Sequence, residues 1–493
     1  MIKELLFTTI IVGSFLSCQN KPNATWVSTT LNEPWKIQTP ITCYSIEEKK
    51  ADIIINTSDT KQTIEGFGTC FNELGWLSLN KLDITVRESI MKELFAPGVG
   101  ANFTICRMPI AANDFSMDWY SYNETPNDFA MNNFSIEHDK KTLIPFIKSA
   151  LKYQPELKIW ASPWCPPSWM KYNKHYASVS TSRMLRIWKD RLKEGESTYL
   201  SRIVDNGLAE NKEGKEGTDM FIQDDTYFKA YALYFSKFID AYKKEGIDIF
   251  AVMPQNEFNS AQIFPSCCWT SQGLATFIGK YLGPTMSQKN IQIMFGTVER
   301  ANLALVDTIL QDPDCARYVI GVGFQWAGKD ALPKIAAKYT NLKFYQTEQE
   351  CGDGKNNWEG ANHSWNLMKH YLKNGVNVYE YWNTSLINGG VSRWGWAQNS
   401  LIVVDKDGKS FEYTPEYYIM KHISHYVLPG AKRIETSGEY KDVLAFINPN
   451  NSIIVIIGND NPTDKVVNFK INNMVYSPMI KANSINTFTI KQE

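Results

Sequence analysis

The sequence predicts an α/β protein: a (β/α)8 TIM barrel with an attached, discontinuous β-sandwich domain. Three observations predict it. Eight short apolar runs of strand length recur between residues 64 and 382, several of them separated by amphipathic helical patterns. From about Ser410 the pattern changes to short β runs bounded by Asn, Pro, Asp and Gly. The 493 residues suffice for one large barrel and a smaller domain.

The first element, residues 1–18, reads as a lipoprotein-type signal peptide. Lys3 supplies the charge, Leu5 to Leu16 are mostly apolar, and small Ser17 precedes Cys18. The run is too short to span a bilayer. Phe15-Leu16-Ser17-Cys18 resembles a bacterial lipobox, which makes Cys18 the expected lipid-bearing N-terminus. The next residues, Gln19-Asn20-Lys21-Pro22, lack an acidic run. The expectation is therefore export across the inner membrane to a periplasmic or outer-membrane-associated place, with membrane contact only through this anchor. Residues 19–63 are polar and β-leaning and are expected to join the sandwich.

The barrel is expected over 64–405. Its runs are Ile64 to Gly68, Phe103 to Pro109, Leu157 to Pro163, Phe250 to Glu257, Ile291 to Gly296, Val319 to Phe324, Phe344 to Glu348 and Val376 to Trp382. Thr85 to Ala96, Leu143 to Leu151 and Thr226 to Glu245 carry helical periodicity between them. An open doubly wound sheet fits less well, because no glycine-rich phosphate turn follows the first run. Asp407-Gly408-Lys409-Ser410 also lacks the glycine spacing of a P-loop. Residues 172–225 break the rhythm with a connection far beyond ordinary loop length, placed on the active-site side. Its charged stretch, Lys189 to Glu194, reads as a solvated helix face. Residues 406–493 hold the short strands Val443 to Ile447, Ser452 to Ile457 and Lys465 to Phe469, read as the C-terminal β-sandwich.

Composition excludes several functions. The net charge of -1 leaves no basic excess for a nucleic-acid backbone. Apart from Cys18, the eight cysteines show no paired zinc spacing, and one or two disulfides stay open. None of the six histidines ends a predicted strand; His422 and His425 read as helix residues. His-Glu-x-x-His and Gly-x-Ser-x-Gly are both absent, so neither a metal nor another cofactor is expected. The 15 tryptophans offer flat apolar plates on which sugar rings stack.

Two glutamates carry the chemistry. Glu257 and Glu348 each close an apolar run, and a carboxylate at the C-terminal end of a barrel strand points into the mouth where barrel enzymes react. Strands four and seven lie across that mouth from each other. Retaining glycosidases need one carboxyl protonated and one ionised, the first to protonate the leaving oxygen and the second to attack the anomeric carbon. The amide of Asn256 can bind the hydroxyl beside the reacting carbon while Glu257 supplies the acid. Glu350 rivals Glu348, but Cys351-Gly352-Asp353-Gly354 suggests that the strand has ended by then. Arg107 and Asp114 are candidates for hydroxyl binding and for tuning a carboxylate.

These segments together resemble glycoside hydrolase family 30, the group that includes lysosomal glucocerebrosidase and microbial β-1,6-glucanases. The resemblance rests on Ile105 to Pro109, Asn113 to Ser116, Tyr122 to Phe129, Ala161 to Trp169, Asn256-Glu257, Asp312-Pro313, Thr347-Glu348 and Tyr381 to Asn383, and covers about residues 60 to 490. It implies retention on β-linked sugars without a metal, with Glu257 as acid/base and Glu348 as nucleophile. It also implies that Arg107, Asp114, Trp164, Asn256 and Trp382 line the first sugar site. Gln325-Trp326-Ala327 stands where glucocerebrosidase has a histidine followed by Trp-Tyr, and Trp394 to Ser400 is more similar to the β-1,6-glucanases. Gln325, Trp326 and Trp394 therefore join the expected substrate-binding set. The expected partner is a β-linked glucan or gluco-oligosaccharide. The alternatives are glucosylceramide, a xyloside or a fucoside, and, from a different class, an inactive glycan-binding lipoprotein.

Overall fold

The computed structural model describes residues 24–43, 50–190 and 201–491. The signal segment with Cys18 and residues 191–194 of the charged stretch lie outside them.

Three N-terminal strands, β1 (Ala24–Thr30), β2 (Lys36–Ile41) and β3 (Ile53–Thr63), precede the barrel. Eight parallel strands then close on themselves: β4 (Gly66–Cys70), β5 (Ile105–Pro109), β6 (Lys158–Ser162), β7 (Ile249–Val252), β8 (Gln292–Val298), β9 (Val319–Gln325), β10 (Lys343–Glu348) and β11 (Val378–Asn383). β5 and β11 are buried along their whole length. Strands covered on both faces read as continuous apolar runs, which is why the sequence announces them. Ile105, Trp160, Met253, Met294, Tyr345 and Val378 fill the barrel interior. A Cβ at Gly68 would lie 1.5 Å from the carbonyl oxygen of Ile105, so only glycine lets β4 approach β5 this closely.

The fourth strand corrects the expectation. β7 stops at Val252, five residues before Glu257. Pro254 lacks the N–H that a further ladder bond needs, and the chain leaves the sheet there as a turn.

β1, β2 and β3 join a nine-stranded sheet with Lys432–Ser437, Val443–Ile447, Ile453–Asn459, Phe469–Ile471, Met474–Tyr476 and Ser484–Ile490. β1 runs antiparallel to Ser484–Ile490, so the sandwich is closed by both ends of the chain. Its apolar core, which includes Ile55, Val455, Phe469 and Phe488, is separate from that of the barrel. The helix Pro415–Ser424 joins the two units: the ring nitrogens of His422 lie 2.8 Å from the hydroxyls of Thr487 and Thr29. The eight described cysteines are buried, and none forms a disulfide. Among the described residues no helix is long and apolar enough to cross a membrane.

Within the long connection after β6, Thr181–Lys189 forms a helix whose N-cap, Ser180, accepts a hydrogen bond from the Arg183 backbone N–H.

Candidate active site

The C-terminal ends of the strands surround a pocket of about 560 Å³, whose walls include Asp114, Trp164, Asn256, Glu257, Trp326 and Glu348. Glu348 is the last residue of β10. Its Oε2 accepts from Arg107 Nη1 at 3.1 Å and from Gln325 Nε2 at 3.3 Å, and its Oε1 accepts from Trp326 Nε1 at 3.2 Å.

Glu257 comes from the turn after β7. The backbone N–H of Asn256 donates to the Pro163 carbonyl at 2.7 Å, and that of Glu257 donates to Thr297 Oγ1 at 2.8 Å. Glu257 sits at φ 44°, a left-handed conformation that non-glycine residues seldom adopt and that concentrates at functional sites. Trp326, at φ 47°, does the same on the far side of the pocket.

Gln325 joins the two carboxyls. Its Oε1 accepts from Thr347 Oγ1 at 3.0 Å and Arg107 Nη1 at 3.3 Å, which turns its Nε2 toward the acids. That Nε2 lies 3.1 Å from Glu257 Oε1 and 3.3 Å from Glu348 Oε2. Two oxygens at those distances from one nitrogen are at most about 6.4 Å apart, so the two carboxyls face each other across a single amide.

Asn256 is fixed in the same way. Its Oδ1 accepts from Arg107 Nη2 at 2.7 Å, Thr297 Oγ1 at 3.2 Å and Gln325 Nε2 at 3.2 Å. With the oxygen committed, the amide N–H groups are the end left for a sugar hydroxyl in the pocket.

Burial raises the carboxyl of Glu257 above its ordinary value and that of Glu348 further; at Glu348 the Arg107 charge opposes the rise, and the charges of Asp114 and then Glu257 add to it. Such a pair retains a proton to higher pH than either acid would alone. The contacts of the two carboxyls differ. Glu348 touches a fully buried guanidinium and receives two further N–H donors, all of which favour its ionised form. Glu257 receives only the amides of Gln325 and, at 3.4 Å, Gln262. Arg107 and these donors favour the anion at Glu348, and burial opposes them. Asp114 is pushed up to about 7 by burial and then by the charge of Glu257, and its Oδ1 has no hydrogen-bond partner.

The structure separates the expected site residues into two depths. Asp114, Trp164, Asn256, Glu257, Trp326 and Glu348 form the pocket wall. Arg107, Gln325 and Trp382 do not reach it and are wholly buried beneath. The Arg107 guanidinium lies 4.3 Å from the Trp164 ring centroid and 5.6 Å from that of Trp382, and the two indoles stack at 5.3 Å. Arg107 and Gln325 hold the acids from below, and Trp382 backs Trp164, its indole N–H left without a protein partner. Trp394 is set back from the pocket. It is 1% exposed and packs on Trp119 at 4.7 Å, whereas Trp396, two residues on, lines the pocket. Glu350 is at the rim, where burial pushes its carboxyl up but His363 and Lys329 pull it below the usual range.

Sequence reasoning missed Ser260, Gln262, Glu299, Arg300 and Trp396 in the wall. Glu299 had a signal. It follows β8 directly, and the rule that singled out Glu348 applies to it equally. Both of its oxygens are buried without a partner. Burial, and then the charge of Glu257, hold its carboxyl far above the usual range. Among the described residues no group of three or more His, Cys, Asp or Glu side chains is arranged to hold a metal ion.

The chain is similar to known proteins over most of its length. The family model described as the glycosyl hydrolase family 30 TIM-barrel domain matches residues 64–212 and 208–427, and that of the family's β-sandwich domain matches 430–488. The lysosomal acid glucosylceramidase of Mus musculus is 26% identical over 433 residues, 82% of this chain and 76% of that protein. The endo-1,6-β-D-glucanase neg1 of Aspergillus fumigatus is 26% identical over 429 residues, 82% of this chain and 80% of that protein. The crystal structure of SrfJ from Salmonella typhimurium superposes with a TM-score of 0.82 at 19% identity, covering 96% of this chain and all of that one.

Proposed function

The chain belongs to glycosyl hydrolase family 30, and from that premise we propose that it is a retaining β-glycosidase acting by double displacement on β-1,6-linked glucan or gluco-oligosaccharides. Glu348 attacks the anomeric carbon through one carboxylate oxygen. The glycosidic C–O bond breaks, and Glu257 gives its proton to the departing oxygen. The resulting glycosyl ester is opened by water, which loses a proton to Glu257 as its oxygen bonds to the anomeric carbon. Glu348 leaves, and the sugar carries its original β configuration. The observation that carries this reading is the single amide nitrogen of Gln325 shared by the two carboxyls. It supports two carboxyls that face each other closely enough to act on one sugar ring.

The polar rim of the pocket supports a hydroxylated leaving group: Ser260, Gln262, Glu299, Arg300 and Gln398 all face it. A hydrocarbon tail would desolvate these groups without replacing their hydrogen bonds. Glucosylceramide remains the second reading, on the strength of the murine relative. Product analysis on β-1,6-glucan, aryl β-glucoside, aryl β-xyloside and glucosylceramide in parallel tests both. Release of short gluco-oligosaccharides from the glucan is expected. Turnover of glucosylceramide alone would favour the second reading, and binding without product would indicate a glycan-binding protein.

We infer further that the chain is a lipid-anchored, exported protein. Lys3, the apolar run to Leu16 and the sequence Phe15-Leu16-Ser17-Cys18 support this. Incorporation of a labelled fatty acid, lost in Cys18→Ser, is the expected result.

A further inference from the structure

A second cavity, of about 480 Å³, opens beside the catalytic pocket and shares four walls with it: Ser260, Gln262, Arg300 and Trp396. Its outer wall is the insertion helix Thr181–Lys189. Met184, Ile187 and Trp188 are spaced i, i+3 and i+4, so they fall on one face of that helix, and all three line the cavity half-buried. The indole of Trp188 lies 5.6 Å from that of Trp396, with the rings tilted by 44°. The rest of the rim is polar and held in place. Arg300 is paired with Glu216 and donates to Ser260 Oγ at 3.3 Å, and Arg183 pairs with Glu213 at 2.8 Å.

The shared wall fixes which side of the reaction this cavity serves. Gln262 lies in both cavities, and its Nε2 reaches Glu257 Oε2 at 3.4 Å. The residue that protonates the leaving oxygen stands on the leaving group's side. We propose that the second cavity is a leaving-group subsite, built by the insertion, that binds the sugar units beyond the scissile bond of a β-linked oligosaccharide. This rests on the assignment of Glu257 as the acid. Pyranose rings suit such a space, because they present C–H faces to the Trp188 and Trp396 platform and equatorial hydroxyls to the fixed rim. A lipid tail suits it less, since Arg183, Lys215, Glu216 and Arg300 would lose water for nothing in return.

The test compares kcat/KM for β-1,6-linked glucotetraose, 4-nitrophenyl β-glucoside and octyl β-glucoside in the full-length protein. Trp188→Ala is expected to lower the tetraose value about tenfold, the scale of one lost apolar contact in a binding pocket, and to leave the aryl glucoside value within about twofold. Arg186→Ala, on the outer face of the same helix where Arg186 pairs with Glu210, should leave all three unchanged. An equal loss on all three substrates in Trp188→Ala would overturn the proposal in favour of a structural role. A loss confined to octyl glucoside would overturn it in favour of a lipid site. An unchanged tetraose value, or a wild-type protein that cleaves the aryl glucoside but not the tetraose, would also overturn it. Glu257→Ala separates this from the mechanism. If Glu257 is the acid, that variant loses the tetraose but keeps most of its kcat/KM on 2,4-dinitrophenyl β-glucoside, whose leaving group needs no proton, while kcat falls for want of the base that opens the glycosyl ester and is restored by azide. If both are lost together, the assignment of Glu257 fails first.

Discussion

Arg107 holds Glu348 by a 3.1 Å ion pair in which the guanidinium is wholly buried and the carboxylate 5% exposed. The same guanidinium reaches Asn256 and lies under the Trp164 indole, so one cation orients three parts of the pocket. Removing it leaves a buried carboxylate without its counter-charge, and that raises the carboxyl pKa. As the proposed nucleophile, Glu348 has to be ionised, so Arg107→Gln should move the acidic limb of the kcat/KM profile to higher pH. It should also lower kcat on an aryl β-glucoside by about 100-fold, comparable to losing one preorganised electrostatic donor. An unmoved acidic limb would show that the ion pair does not govern Glu348.

Asp114 acts on both limbs, since its charge also raises Glu348. Its carboxyl, pushed up to about 7 by burial and the charge of Glu257, raises the proton affinity of Glu257 in turn when it ionises. Asp114→Asn removes that negative charge, so Glu257 should release its proton at lower pH. The alkaline limb of kcat/KM should therefore move toward acid, as a pH series on one aryl glucoside would reveal.

Glu299 is a stability prediction. Its folded-state carboxyl is raised far above the unfolded value by burial and by the charge of Glu257. Above about pH 4.3, the ordinary glutamate value, the unfolded chain ionises while the folded chain does not, so stability falls as pH rises. Glu299→Gln keeps the shape and removes the proton linkage. The Tm difference, variant minus wild type, should be near zero at pH 4 and grow positive toward pH 7. A difference that stays flat across this range would mean that Glu299 is ionised in the fold.

Two tryptophans two residues apart should behave oppositely. Trp394→Ala should cost about 3–5 kcal/mol of stability, as deletion of a buried indole does, because Trp394 is enclosed against Trp119. Trp396→Ala should leave Tm almost unchanged and raise KM for oligosaccharides, because that ring lines both cavities. Thermal unfolding and steady-state kinetics on the same preparations decide it.

The barrel was legible because strands buried on both faces leave uninterrupted apolar runs, and Glu348 was legible because it ends one of them. Glu257 was found for a partly wrong reason. It stands beyond its strand, in a left-handed turn that no periodicity marks. The depth of Arg107, Gln325 and Trp382 was not legible, because order along a strand says which end of the barrel a residue occupies and not whether another side chain lies above it. Trp394 and Trp396 could not be told apart for a similar reason. They lie in a turn closed by the Val391–Ala397 bridge, with Gly395 at φ 85° between them, and only that geometry decides which indole is enclosed. The wall of the second cavity was hidden in a connection whose length alone was conspicuous.

The account depends on Glu348 forming a bond to the sugar. Incubation with 2-deoxy-2-fluoro-β-glucosyl fluoride, followed by proteolysis and mass mapping, tests this directly. The account predicts a fluoroglucosyl adduct on the peptide that carries Glu348, absent in Glu348→Ala. An adduct on Glu257, or turnover of the natural substrate with inversion and no adduct, would contradict it.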